Sequence, residues 1–264
     1  MASASPTLNI MIRAARHAAR RLVRDFGEVE NLQVSMKGAG DFVSNADRKA
    51  EETLREDLME ARPNYGWLGE ESEEVKGTDP TRRWIVDPLD GTTNFLHGMP
   101  HWAISIALEH KGRIVAAVVY DPVKDEMFVA EQGQGCWLND RRCRVSARRE
   151  LAVSVLATGV PFGAKKTLPL MLKDLAALMP RSAGVRRWGA ASLDLAYVAA
   201  GRFDAFWERE LSPWDIAGGM LLVQEAGGLV SSIGSLPGKE NPLETGSVLA
   251  CNADLRPAVA EHLA

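Results

Sequence analysis

Apolar residues recur at three- and four-residue spacing at the start of the chain: Leu8, Met11, Ile12, Ala15, Ala19, Leu22, Val23 and Phe26, with arginines on the other face. That period predicts an amphipathic helix, and Gly27 marks its stop. The polar stretch Ser35–Asp41, containing Lys37, Gly38 and Gly40, predicts a mobile loop or a hairpin. Ser44 or Asn45 is placed to cap a second helix that runs to about Glu60, before Pro63. The pattern then changes. Trp84–Val86, Ala103–Leu108, Ile114–Tyr120 and Met127–Ala130 are apolar runs of strand length, with turn signals at Lys111–Gly112 and Asp121–Pro122. They predict an antiparallel sheet. In the second half, expected strands at Ser154–Thr158, Phe203–Trp207, Leu229–Ser231 and Val248–Ala250 alternate with expected helices at Leu168–Met179, Ala190–Ala200 and Trp214–Ala226. This mixed order predicts helices layered on sheets. Two halves meeting near Arg144 are expected, although no linker composition marks the boundary.

Composition narrows the picture. A chain of 264 residues with 46% apolar residues has room for one large domain or two intimate halves with a sizeable core. The formal charge is −4 and no basic stripe runs along the chain, which argues against sustained nucleic-acid binding through phosphate neutralisation. The short clusters Arg141–Arg142–Cys143–Arg144 and Arg186–Arg187 are expected on the solvated surface. No apolar run approaches the ~20 residues of a membrane helix. The N-terminus lacks the pattern of a secretory signal, and a cytoplasmic protein is expected. Cys136, Cys143 and Cys251 show no CxxC spacing and are expected as reduced thiols. His97, His101 and His110 match no zinc spacing, so packing or capping roles are expected of them. The seven tryptophans are expected in the core and at interfaces.

The candidate chemistry lies in Trp84-Ile-Val-Asp-Pro-Leu-Asp-Gly-Thr-Thr-Asn-Phe95. An apolar strand ends at Asp87, Pro88 turns the chain, Asp90 follows, and Gly91 permits a tight turn into a helix opened by Thr92–Thr93. Paired carboxylates at a strand end suit hard divalent cations, which prefer oxygen ligands. Backbone N–H groups at the following helix start suit a phosphate. A bare D-x-x-D-G would be an ordinary acidic turn; the buried strand and the double threonine make this string more specific. Upstream, Trp67-Leu-Gly-Glu-Glu-Ser72 carries an acidic pair that means little alone. Downstream, Ser212-Pro-Trp-Asp-Ile-Ala-Gly-Gly219 reads as a capped helix start, in which Asp215 either complements the helix dipole or faces a site. Gly218 and Gly219 inside that helix cost about 1 kcal/mol each, which points to close packing against another segment.

Together, Gly69-Glu-Glu-Ser72, Asp87-Pro-Leu-Asp-Gly-Thr-Thr-Asn94 and Trp214-Asp-Ile-Ala-Gly-Gly219, in this order and at these separations, resemble the inositol monophosphatase family. The continuation Phe95-Leu-His-Gly-Met-Pro-His-Trp-Ala-Ile-Ser-Ile-Ala-Leu108 and Glu225-Ala-Gly-Gly228 resemble it too. The resemblance implies an α/β/α/β/α five-layer sandwich, a single catalytic domain over 8–262 with halves of about 8–144 and 145–262, and a homodimer. It implies Mg²⁺-dependent hydrolysis of a small phosphate monoester, myo-inositol monophosphate first, by a metal-activated water. Glu70, Asp87 and the Leu89 carbonyl resemble the ligands of a first Mg²⁺, and Asp87, Asp90 and Asp215 those of a second. Asp47 and Thr92 resemble the pair that orients the attacking water, with Glu70 beside them. The Gly91 and Thr92 N–H groups resemble the phosphate contacts, Glu208 the contact to ring hydroxyls, and Gly189 and Ala191 the lining of that pocket. Lys37 and Asp41 match a loop linked to a weaker third metal near Glu70, and inhibition by Li⁺ is implied as well. Ser44, where the family often has Thr, and the Gly/Pro-rich Ser231–Thr245 depart from the pattern. Histidinol phosphate, a 3′-phosphonucleotide and fructose 1,6-bisphosphate stay open as substrates, as does a regulatory binding protein without turnover.

Overall fold

A computed structural model describes residues 5–28, 34–38, 41–160 and 166–263, with the two strands between 34 and 44 described by their backbone alone. Helix α1 (Pro6–Phe26) follows the predicted stripe, burying Leu8, Met11, Ala14, Ala15, Ala18, Ala19 and Leu22. Ser5 caps it by accepting the Leu8 N–H at 3.1 Å, and Gly27 ends it. The polar stretch is a hairpin of β1 (Val34–Gly38) and β2 (Asp41–Ser44). Helix α2 (Asn45–Ala61) buries Ala46, Ala50, Leu54 and Leu58, and on the same side two acids, Asp47 and Glu51.

Strands β3 (Gly66–Gly69), β4 (Arg82–Asp90), β5 (Ala103–His110), β6 (Arg113–Asp121), β7 (Glu126–Glu131), β8 (Gly135–Leu138) and β9 (Arg141–Arg142) form one sheet in chain order, with the short helix α3 (Thr92–Leu96) between β4 and β5. The expected antiparallel sheet holds except at its edge, where β3 and β4 run parallel. A second sheet has the order β11-β10-β12-β14-β13, from β10 (Val155–Thr158), β11 (Gly184–Arg186), β12 (Ala205–Glu208), β13 (Leu229–Ser231) and β14 (Val248–Cys251). Its helices are α4 (Leu168–Leu178), α5 (Ala191–Ala199), α6 (Pro213–Glu225), α7 (Pro242–Thr245) and α8 (Arg256–Ala260).

Strand alternation sorts these elements into layers. Trp84, Val86, Ile104, Ile106, Val118 and Val129 pack with α1 and α2, while Ile85, Ala103, Ala107, Ala117, Val119 and Phe128 pack with α5 and α6. The same middle layer takes Ala157, Phe206, Val248 and Ala250 from the second sheet. On that sheet's far side, Leu156, Ala205, Trp207, Leu249 and Cys251 pack with Leu178 of α4 and Val259 of α8. The order is therefore α/β/α/β/α. Both sheets are covered on both faces, which explains why their strands read as continuous apolar runs.

The middle helices have no wet face. Every residue of α5 is buried, as is Ile216–Val223 of α6. The two α6 glycines allow the close approach the sequence pointed to. A Cβ at Gly218 would lie 2.8 Å from Ser105 Oγ, and one at Gly219 would lie 2.4 Å from Leu195 Cβ. Gly219→Ala therefore gains about 1 kcal/mol of helix propensity but forces α5 and α6 apart, an overpacking cost of roughly 1–3 kcal/mol. The expected net result is a lower melting temperature; an unchanged or raised one shows that the two helices are not in this contact.

Candidate functional site

Strand β4 carries the candidate site at its C-terminal end. Asp87 stands opposite Ser105 and Asp90 opposite Ala103, so β4 holds one extra residue against β5 at this point. Pro88 falls in this bulge, where its missing N–H costs no ladder bond. The strand thus runs on past Asp87 instead of ending there. The Leu89 N–H folds back onto Asp87 Oδ1 at 2.9 Å, and the Leu89 carbonyl accepts the Thr92 hydroxyl at 2.9 Å. Gly91 turns the chain in the left-handed region (φ 93°), with the His101 carbonyl 3.1 Å from where a Cβ would sit. Asn94 fastens this turn by donating to the carbonyls of His101 at 2.8 Å and Trp188 at 2.7 Å.

Other elements bring further acids to the same place. Asp47, fully buried in the first turn of α2, accepts the Thr92 hydroxyl on Oδ2 at 3.2 Å. Glu70 follows the end of β3, and the carboxylates of Asp47, Glu70 and Glu71 present oxygens within 4.8 Å of one another. Asp90 accepts both the N–H (2.7 Å) and the hydroxyl (2.5 Å) of Ser192 at the start of α5. Asp215 closes the capping box of α6 by accepting the Ser212 N–H at 2.6 Å.

The electrostatics confirm the convergence. Burial raises the Asp87 pKa well above the ordinary carboxylate value, and the charges of Glu70, Asp90, Asp215 and Asp47 raise it further. Asp90 is raised by burial, against the pull of the Ser192 donors. Asp215 is raised well above its usual value by burial, then by Asp90, Glu70 and Glu208. Acids from distant parts of the sequence therefore come together at one place. Asp87, Asp90 and Asp215 each accept a backbone N–H on one oxygen, which fixes the carboxylate. An all-oxygen, mutually repelling donor set of this kind fits a hard divalent cation such as Mg²⁺.

The second sheet lines the far side of the cleft. Glu208 ends β12, and its carboxyl lies so close to Gly159 that a Cβ there would come within 1.9 Å of Oε1. Burial, with Asp194 and Asp90 nearby, pushes the Glu208 pKa up to about 8. Gly189 precedes α5, with Arg187 and Asn94 around it, and Ala191 begins that helix with its N–H toward Asp90. His101 packs edge-on against Trp188 and Tyr197, with Nε2 3.8 Å from the buried Asp194. Burial lowers its pKa to about 4, so it is neutral at pH 7.

The hydrogen bonds and charges above thus link Asp47, Glu70, Asp87, Asp90, Thr92, Asp215 and Glu208 to one another. The side chains of Lys37, Asp41 and Ser44, and all of Gly40, lie outside the described residues. The sequence reading missed Glu71, Ser192, Asn94 and Glu51. Asn94 and Glu71 stood inside the quoted strings without a role; Ser192 and Glu51 gave no local signal.

Comparison with known proteins agrees. The sequence profile of the inositol monophosphatase family matches residues 3–264. An inositol-1-monophosphatase of Rhizobium meliloti is 56% identical, covering 97% of this chain and 96% of its own. The Nus factor SuhB of Pseudomonas aeruginosa is 49% identical, covering 94% and 92%. The crystal structure of the extragenic suppressor protein suhB from Bartonella henselae superposes with a TM-score of 0.94 at 52% identity, over 98% of each chain. With its layers, its acidic cleft and its full-length matches, the chain belongs to the inositol monophosphatase family.

Proposed function

We propose that this protein is a Mg²⁺-dependent phosphatase that hydrolyses myo-inositol monophosphate to inositol and phosphate. The observation that carries the reading is the meeting of Glu70, Asp87, Asp90 and Asp215 at one place, where the charges of Glu70, Asp90 and Asp215 raise the pKa of Asp87 and those of Asp90 and Glu70 raise that of Asp215. Glu70, Asp87 and the Leu89 carbonyl would hold one ion, and Asp87, Asp90 and Asp215 a second; Lys37 and Asp41 belong to the proposal for a third. Mg²⁺ bound there supplies charge to activate a water and to offset the negative charge on the phosphate. The chain's own groups do the rest. Asp47 and the Leu89 carbonyl fix the Thr92 hydroxyl, so its oxygen presents lone pairs that orient the attacking water, and Asp47 is placed to accept the proton. The Gly91 and Thr92 N–H groups point the turn at the phosphate. Glu208 receives the ring hydroxyls, with Gly189 and Ala191 as walls.

The proposal includes one catalytic domain over 8–262 with halves of about 8–144 and 145–262, a homodimer, a cytoplasmic location and inhibition by Li⁺. Among the described residues no helix is long and apolar enough to cross a membrane. The relatives named Nus factor SuhB favour a second reading, a regulatory binding protein on the same fold. Metal-dependent phosphate release discriminates between the two.

Asp87→Asn keeps the side-chain volume and removes the charge shared by both ion sites. Mg²⁺ affinity and turnover should fall beyond the roughly tenfold to hundredfold that losing an outer partner of a metal ligand costs, while the fold survives. Activity assays and thermal melts with and without Mg²⁺ check this; near-wild-type activity would sink the assignment.

Glu208→Gln tests the substrate. Above about pH 8, where Glu208 carries its charge, hydrogen bonds to it are worth roughly 1.5–3 kcal/mol, so kcat/KM for inositol phosphate should drop about tenfold to a hundredfold. Hydrolysis of p-nitrophenyl phosphate, which has no ring hydroxyls, should barely change. Equal losses on both substrates would place Glu208 in the scaffold or the catalytic machinery, and no loss on either would argue for another phosphate monoester.

The same variant reports on pH. Folded Glu208 holds its proton up to about pH 8, whereas its reference value is 4.5. In the absence of divalent cations the folded state therefore loses stability as pH rises from 4.5 to about 8, and this group adds no further loss above that. Asp87, Asp90 and Asp215 act in the same direction. Melting temperatures in EDTA should fall over this window, less steeply for Glu208→Gln than for wild type. Parallel curves would show that Glu208 is not buried as described.

A further inference from the structure

Glu51 is an acid of the core with no part in the ligand set. It lies one turn after Asp47 on the buried side of α2 and is only 3% exposed. Its Oε2 accepts the Glu71 N–H at 2.7 Å. Both carboxylate oxygens would lie 2.6 Å from a Cβ on Gly69. The carboxylate therefore closes on the chain on either side of Glu70, against Gly69 before it and Glu71 after it.

That segment needs such a hold. Strand β3 is a four-residue strand paired with β4 on one side and held on the other by a single bridge between Trp67 and Val75, and its ladder with β4 ends at Gly69, so neither pairing reaches Glu70. Glu70 comes directly after it, among the crowded carboxylates of Asp47 and Glu71, whose mutual repulsion favours spreading apart. The Trp67 indole N–H donates to Ser72 Oγ at 3.0 Å and steadies the far end of the turn. Glu51 supplies the near end. It springs from the same helix as Asp47, so one rigid element sets both Asp47 and the backbone that carries Glu70.

We propose that Glu51 is a positioning residue, which fixes Glu70 for cation binding by clamping the Gly69–Glu71 backbone. This rests on the reading of Glu70 as a metal ligand. The test measures Mg²⁺ binding by calorimetry alongside the Mg²⁺ dependence of phosphate release, with circular dichroism to verify folding. Glu51→Ala should weaken Mg²⁺ binding roughly tenfold to a hundredfold, as loss of an outer partner of a ligand does. Glu51→Gln, whose amide oxygen still accepts the Glu71 N–H, should keep most of the affinity. Gly69→Ala approaches the clamp from its other side. Gly69 is not in the left-handed region and its nearest neighbours are all atoms of the Glu51 carboxyl, so the new methyl displaces that group first. It should reproduce the weakening, and the double variant should be no weaker than Glu51→Ala alone, because the space it needs is already empty.

Wild-type Mg²⁺ affinity in folded Glu51→Ala overturns the inference. So do additive losses in the double variant, or a Glu51→Gln as weak as Glu51→Ala, which would assign the effect to charge instead of the clamp. Should Glu51→Ala fail to fold, Glu51→Gln and Gly69→Ala decide by the same criteria. A wild-type chain that binds no Mg²⁺ overturns both this inference and the metal reading beneath it, whereas a wild type that binds Mg²⁺ beside an equally competent Glu51→Ala overturns this inference alone.

Discussion

Like charges held close in a low-dielectric cleft resist ionisation, and Asp87 feels four of them: Glu70, Asp90, Asp215 and Asp47. Such a cluster disperses unless the surrounding protein holds each member. The hold differs at each residue but uses the same device, a donor already fixed by secondary structure. The bulge in β4 aims the Leu89 N–H at Asp87, the first turn of α5 aims Ser192 at Asp90, and the cap residue before α6 aims its own N–H, that of Ser212, at Asp215 in the first turn. Helix starts suit this task because their N–H groups lack partners within the helix and carry partial positive charge. Two helices of the middle layer thus end against the sheet that carries Asp87.

This explains why the middle layer is packed so tightly. A helix that delivers a carboxylate must hold its position to a fraction of an ångström. Helix α6 manages this without large side chains at its contacts: Gly218 lies against Ser105 of β5 and Gly219 against Leu195 of α5. The helix propensity lost at two glycines is offset by backbone contact on both sides. Ser105 is itself the residue opposite Asp87, so the contact that seats α6 also adjoins the bulge. The fold and the site share these residues.

Much of this was legible in the sequence, for identifiable reasons. Helix α1 showed its period and its stop at Gly27, and the strands of the first sheet showed as unbroken apolar runs because both faces are buried. The string from Trp84 to Phe95 was legible because a buried strand, a bulge and a glycine turn follow within a few residues. What escaped was tertiary. Proline suggested a strand end at Asp87, yet pairing resumes at Asp90 because the bulge leaves no N–H to satisfy. The parallel pairing of β3 was hidden in a four-residue edge strand. Ser192 and Glu51 look ordinary in the sequence: the first meets Asp90 across 102 residues and the second meets Glu71 across 20, and neither spacing leaves a periodic trace. Local strings announce candidate ligands, because such residues cluster at turns here; the residues that hold them in place come from wherever the fold puts a donor or an acceptor.

The two sheets divide the cleft between them. The carboxylates that crowd Asp87 come from β4, from the end of β3 and from helices seated on the first sheet, whereas Glu208 comes from the end of β12 in the second. Its seat is local too: Gly159, just past neighbouring β10, is the only residue type that leaves room for its carboxyl. Glu208 nevertheless feels Asp90, and Asp215 feels Glu208, so the two ends of the cleft are electrostatically linked. A cation held by Asp90 would offset part of the charge that, after burial and Asp194, resists ionisation of Glu208. In the proposed reading, occupancy of the first end would therefore favour the charged, stronger-accepting form of Glu208 at the other, with burial and Asp194 still opposing it.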